Sequence, residues 1–125
     1  MQLTEHRSNE LHVIHSLRPN YVRVGQQEYT QSILLTPVEG VEHWPVASID
    51  EFAVDHLQPI FERKPEVVIL ASGRELKFPP RDIQLEFLKR GVGLEVMTLA
   101  AAARTFNVLA SEDRRVLGAF IWQAR

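Results

Sequence analysis

The run Val67-Val68-Ile69-Leu70-Ala71 is apolar at every position. A strand with one face in water alternates apolar and polar residues, whereas an unbroken run of this length must be covered on both faces. The chain therefore has to supply layers on either side of this strand. Its C-terminal half carries elements suited to that task. Residues 81–90 read as a helix, with Pro80 suited to its first turn, Lys89 and Arg90 near its negative end, and Gly91 as a left-handed stop. Residues 94–97 read as a short strand. In residues 99–110, Leu99, Ala102, Ala103, Phe106, Leu109 and Ala110 share one face of a helix. Residues 116–122 read as a last, nearly all-apolar strand. Strands separated by single helices imply right-handed crossovers and parallel pairing. The strands at Val67, Leu94 and Val116 are expected side by side in the centre, with helices over both faces.

The first third has a different period. Residues 12–18 alternate loosely, Pro19-Asn20 marks a turn, residues 21–24 read as a second strand closed by Gly25, and residues 28–35 as a third ending before Pro37. Residues 41–46 form a short extended piece after Glu39-Gly40. This is a β-meander. Ser48 and Glu51 then have capping-box spacing, and Ile49, Phe52, Ala53, Leu57, Ile60 and Phe61 recur near helical spacing. Pro59 predicts a break around Gln58. The fold class expected is α/β: a compact domain over residues 11–125 with a mixed central sheet, in the order β-meander then α-β-α-β-α-β. Residues 1–10 are expected to be a flexible arm.

Composition narrows the function classes. A length of 125 residues is that of one domain, and 45% apolar content is too high for a disordered chain. With no cysteine, disulfides, thiolate nucleophiles and thiolate metal sites are excluded. A net charge of −2 gives no global attraction to nucleic acid, and no apolar run is long enough to span a bilayer. Residues 1–10 lack the apolar core of a signal peptide and the Arg-rich, acid-poor character of a mitochondrial presequence. The expected setting is the cytoplasm.

No complete catalytic or metal motif is present. His12 and His15 are three apart, so on a strand they point to opposite faces, and His6, His43 and His56 lack ligand-spaced companions. No serine sits in a Gly-x-Ser-x-Gly elbow. Neither a cofactor nor a metal is expected. The loop Ser72-Gly73-Arg74 and the turn Met97-Thr98 are expected at the carboxyl edge of the sheet, where open α/β folds bind ligands, with a helix N-terminus at Leu99 to favour an anion. Against this, Gly73 and Ser72 can simply build a turn. Glu95 is expected largely buried, either ion-paired with Arg104 or Arg115 or held as a base. Arg104 lies opposite the core face of its helix, beside Ala100, Ala101 and Val108. Thr105 and Asn107 flank that core, where residues of poor helix propensity serve either neighbouring loops or a partner.

The run Gly91-Val92-Gly93-Leu94-Glu95-Val96-Met97, with Arg104-Thr105-Phe106-Asn107 and Arg114-Arg115-Val116 after it, resembles one family. This is the small domain of unknown function shared by bacterial and archaeal proteins and by the mitochondrial complex I assembly factor three. The resemblance spans residues 21–122 and implies a compact α/β fold with a mixed sheet. It also implies differences: the family's usual Asp after the Met is Thr98, its frequent Cys is Ala103, its Tyr is Phe106, and the first Gly of its upstream Gly-Thr-Gly loop is Ala71. Those exchanges argue against catalysis at these positions.

The function expected is a non-enzymatic protein-interaction or assembly-factor-like module with an unidentified protein partner, a homo-oligomer being open. The alternative is a small-ligand or anion-binding domain, enzymatic or not, at the carboxyl edge of the sheet. Candidate binding residues are Ser72, Gly73, Arg74, Glu95, Met97, Thr98, Arg104, Thr105 and Asn107.

Overall fold

A computed structural model describes residues 11–122. The expected arm, residues 1–10, lies outside the described residues. Strands β1 (Ile14–Arg18), β2 (Tyr21–Val24) and β3 (Gln27–Tyr29) form a three-stranded antiparallel sheet. Strands β4 (Ile33–Thr36), β5 (Gly40–His43), β6 (Val67–Ala71), β7 (Gly93–Met97) and β8 (Val116–Phe120) form a second sheet in the order β5-β4-β8-β6-β7. In it β8 pairs antiparallel with β4 and parallel with β6, and β6 pairs parallel with β7. The helices are α1 (Gln58–Glu62), α2 (Arg81–Arg90) and α3 (Leu99–Ser111).

Strand β6 is covered on both faces, as its unbroken apolar pattern requires. Val68 and Leu70, with Leu34, Leu117 and Ala119, pack against Ile60 of α1, Ile83 and Phe87 of α2, and the buried Trp44 and Phe52. Ile69 and Ala71, with Ile33, Leu35, Val116 and Phe120, pack against Ala102, Ala103, Phe106 and Ala110 of α3 and against Ile14, Val22 and Val24 of the small sheet. The period-2 geometry of strands sorts alternate residues into these two layers. Gly91 ends α2 at φ +69°, and its N–H donates to the carbonyl of Leu88.

Three local expectations are corrected. Residues 28–35 are not one strand: β3 and β4 lie in different sheets, separated at Ser32. The Ser32 hydroxyl is buried, donates to the Val46 carbonyl and accepts the Trp122 N–H at 2.8 Å. A side chain that binds two distant backbones ends one sheet and starts another. Second, residues 49–61 are not one helix. They form two 3-10 turns, Ile49–Glu51 and Val54–His56, before α1, and the Ser48 side chain makes no capping bond. The break expected around Gln58 is where α1 begins, with Pro59 in its first turn, where proline removes no helical bond. Third, the strands at Val67, Leu94 and Val116 do adjoin, but β7 is the sheet's edge, because β4 takes the place beside β8.

Candidate functional site

The parallel strands β6 and β8 end at the same side of the sheet, and β7 ends beside them. There the chain leaves β6 through Ser72 and Gly73. The Ser72 N–H donates to the Met97 carbonyl at 2.9 Å. Its hydroxyl donates to the Glu75 carbonyl at 2.8 Å and accepts the Lys77 N–H at 3.0 Å. Ser72 thus folds the following loop back on itself. Gly73 lies at φ +112°, a conformation that L side chains rarely adopt, and its carbonyl accepts the Leu99 N–H at 3.0 Å. These bonds fix the start of α3 against the loop. Thr98 precedes α3 in extended conformation, and its side chain makes no capping bond.

This edge is concave. A cleft of about 490 Å³ lies among Ser48, Asp50, Ser72, Gly73, Arg74, Lys77, Leu99 and Trp122. A second compartment of about 560 Å³ adjoins it, bounded by Leu17, Arg18, Pro19, Arg74, Thr98, Leu99, Ala100 and Trp122. Pro19, Arg74, Leu99 and Trp122 border both. In the first, Lys77 is paired with Asp50 at 3.3 Å and Glu75 adds another acid, so its charges nearly balance. The second is bordered by two arginines and no carboxylate.

The nine residues singled out from the sequence divide into groups. Ser72, Gly73, Arg74 and Thr98 meet at the clefts. Met97 joins them through its main chain, while its half-buried side chain packs against the α3-side core. Glu95 is exposed on the edge strand and makes no ion pair among the described residues, a correction to its expected burial that results from β7 being the sheet's margin. Arg104 is exposed on the outer face of α3, and Thr105 is half-buried beside the core. Asn107 has a defined role: its Oδ1 accepts the Ile14 N–H at 2.9 Å and its Nδ2 donates to the Ile14 carbonyl at 2.8 Å. The carboxamide thereby binds the free edge of β1 and joins α3 to the small sheet.

Sequence reasoning missed Arg18, Pro19 and Trp122. Arg18 ends β1 and Pro19 opens the β1–β2 turn, and they reach the cleft because the small sheet packs over α3. A different electrostatic feature lies at the opposite end of β6. Glu66 accepts the Arg115 N–H at 3.0 Å and faces the Arg114 guanidinium at 3.4 Å; the backbone bond first, and the charges second, hold its pKa below the usual value. Among the described residues no three His, Asp or Glu side chains are grouped to hold a metal, and no helix is long and apolar enough to cross a membrane.

Known proteins share this architecture. An NMR structure of a protein from Xanthomonas campestris is 43% identical, with a TM-score of 0.81 over 88% of this chain and 83% of that one. A crystal structure from Bordetella parapertussis is 30% identical, with a TM-score of 0.83 over 92% and 97%. A solution structure from Bordetella pertussis, described as a Mth938-like domain, is 25% identical, with a TM-score of 0.80 over 92% and 89%. Among curated relatives, a "13 kDa major membrane protein" of Francisella tularensis is 27% identical over 71% of this chain and 73% of its own length. The NADH dehydrogenase 1 alpha subcomplex assembly factor 3 of Danio rerio is 30% identical over 87% of this chain, an alignment that spans 63% of that relative. A family profile matches residues 14–121. On this match, which runs from the first residue of β1 to just beyond β8, the chain belongs to the family described as proteins of unknown function DUF498/DUF598, the family that the motifs around Gly91 and Arg104 resemble.

Proposed function

We propose that this chain is a non-enzymatic, cytoplasmic protein-docking module that assists assembly of a larger complex, and that its docking face is the outer edge of β7 together with α2. The observation that carries the reading is this unpaired edge. The Gly93 N–H and the Met97 carbonyl are turned toward the β6 side, bonding Glu66 and Ser72. Strand alternation then turns the peptide groups of Leu94 and Val96 outward, where no neighbouring strand among the described residues meets them. Beside them runs a groove of about 400 Å³ bordered by Leu85, Phe87, Leu88, Val92 and Leu94. Leu88 is 76% exposed and Leu85 is also exposed. An extended segment added to β7 would gain main-chain hydrogen bonds and cover these leucines. The role named for the Danio rerio relative, an assembly factor, supports a protein partner.

The test is affinity capture from the cell of origin with the tagged full chain, set against a Leu85→Glu/Leu88→Glu double variant and an Arg104→Glu/Val108→Glu double variant. The expected result is one enriched partner, lost only with the first variant. Loss with the second alone would move the face to α3, and equal recovery by all three chains would refute docking at either face. Light scattering of the purified chain distinguishes a second copy from a different partner, and fractionation checks the cytoplasmic setting.

A further inference from the structure

The open edge strand β7 carries a single charged side chain, Glu95. It is exposed and has no ion-pair partner among the described residues. Leu94 and Val96 pack against the α2-side core, and Met97 against the α3-side core. Strand alternation therefore puts Glu95 on the α3 face of the edge, with the leucine-bordered groove on the other face. On the groove side the bordering charge is positive, that of Arg81. The two faces of the edge thus ask for different side chains: apolar ones over the groove, a cation beside Glu95.

The hydrogen-bond alternation makes the Glu95 position selective. Gly93 and Met97 bond toward β6, and so does Glu95 between them, while Leu94 and Val96 offer their peptide groups outward. An added antiparallel strand bonds Leu94 and Val96 and meets Glu95 at a non-hydrogen-bonded position. Facing side chains come closest there, with Cα atoms about 4.5 Å apart. A second copy of the chain fits this edge badly. Two-fold pairing that uses both outward residues sets Leu94 against the other copy's Val96, and Glu95 against Glu95. Like charges directly opposite destabilise a strand pair. Shifting the register to part the carboxylates sets Leu94 or Val96 against a residue beyond the end of β7.

Resting on the docking reading, we infer that the occupant of this edge is an extended segment of a different protein, with a Lys or Arg opposite Glu95 and an apolar residue on each side of it. The apolar neighbours turn toward the groove and cover Leu85 and Leu88. The basic side chain turns to the α3 face and pairs with the Glu95 carboxylate. Glu95 both selects the partner and keeps the chain from pairing with itself, as charges on edge strands do.

The experiment is an NMR titration of the ¹⁵N-labelled full chain with two end-capped peptides, Thr-Val-Arg-Val-Thr and Thr-Val-Glu-Val-Thr. The arginine peptide is expected to shift the Leu94 and Val96 amides saturably and to bind about fivefold more tightly than the glutamate peptide, the scale of exchanging a like for an opposite charge across a strand pair. Glu95→Lys should reverse that order. Glu51→Lys makes the same change in net charge at an exposed site bordering the cleft beside His43, near the other edge strand, and should leave the order as it is. Glu95→Val should turn a monomeric chain into a concentration-dependent dimer in light scattering. Glu95 is exposed, so these replacements leave the core intact. The inference is overturned if the two peptides bind alike, if neither shifts these amides, if Glu95→Lys keeps the parent's preference, or if the parent chain itself dimerises through β7. Affinity capture judges the docking reading apart from it. A partner lost with Leu85→Glu/Leu88→Glu but retained by Glu95→Lys upholds docking and refutes the charge recognition, whereas equal recovery by every variant refutes docking itself.

Discussion

Asn107→Ala removes both hydrogen bonds between α3 and β1, because one carboxamide receives the Ile14 N–H and donates to the Ile14 carbonyl. Each bond contributes about 1 kcal/mol net when made. Ile14 is buried, so its two peptide groups do not regain water freely, and each unmet group adds to the loss. The expected destabilisation is about 2–4 kcal/mol, which for a domain of this size lowers the midpoint of thermal unfolding by roughly 8–15 °C. Urea unfolding followed by circular dichroism measures the first quantity, and calorimetry the second. Amide exchange locates the loss: protection of β1 should fall further than that of β6. Asn107→Asp sharpens the test, since a carboxylate still accepts from the Ile14 N–H but faces the Ile14 carbonyl with another oxygen. At neutral pH it should cost at least as much as alanine, and acid should recover part of the loss by restoring a donor. A change under about 0.5 kcal/mol for Asn107→Ala, the range of an ordinary surface site, would refute the clamp.

Phe106→Ala should cost about 3–5 kcal/mol in the same urea assay, since the ring is fully buried and meets Phe120 edge to face at 6.1 Å; a loss below about 1 kcal/mol would show that α3 packs by another face. Gly118→Ala should cost about 1–3 kcal/mol, because a Cβ there would stand 2.4 Å from the Phe120 ring and 3.1 Å from Phe106, and Phe120→Leu should relieve part of it in a double-mutant cycle. Glu66 titrates below its usual value in the folded state, so its contribution is complete above the unfolded-state pKa and is lost as pH falls through the lower folded one. Glu66→Gln should therefore flatten the acid limb of the stability curve, and a carboxyl NMR titration with an unshifted midpoint would contradict the cause given.

The second half of the fold is legible in the sequence because its signals are local. An unbroken apolar run requires cover on both faces, Gly91 marks a helix end, and the Leu99–Phe106 stripe has one period throughout. The first half is less so. Nothing around Ser32 carries a glycine or proline, and the break there comes from a hydroxyl that binds residues far away in sequence. The spacing of Ser48 and Glu51 satisfies a helical template, but the residues after it settle as short turns around Trp44 and Phe52. The edge position of β7 is a matter of strand order, which periodicity does not encode, and this is why Glu95 is expected inside and found outside. For the site, Ser72, Gly73, Arg74 and Thr98 can be placed by the rule that ligands gather at carboxyl ends of parallel strands. Arg18 and Trp122 cannot, since they reach the cleft from the two ends of the sequence. Asn107 stands out as unusual for a helix, and of its two possible uses the structure shows service to a neighbouring segment.

The position of β8 bears on how the chain can be made. It is the last of the described strands in sequence, yet it stands between β4 and β6 and joins the antiparallel hairpin to the parallel pair. Until the ribosome has released Val116 to Phe120, the hairpin and the β6–β7 pair have no strand in common, and each presents an open flank of apolar residues. The sheet therefore closes in one late event that depends on contacts between distant parts of the chain, the slow kind of folding step. A nascent or truncated chain lacking β8 exposes two adhesive edges at once, and its fate is association with other chains rather than partial structure.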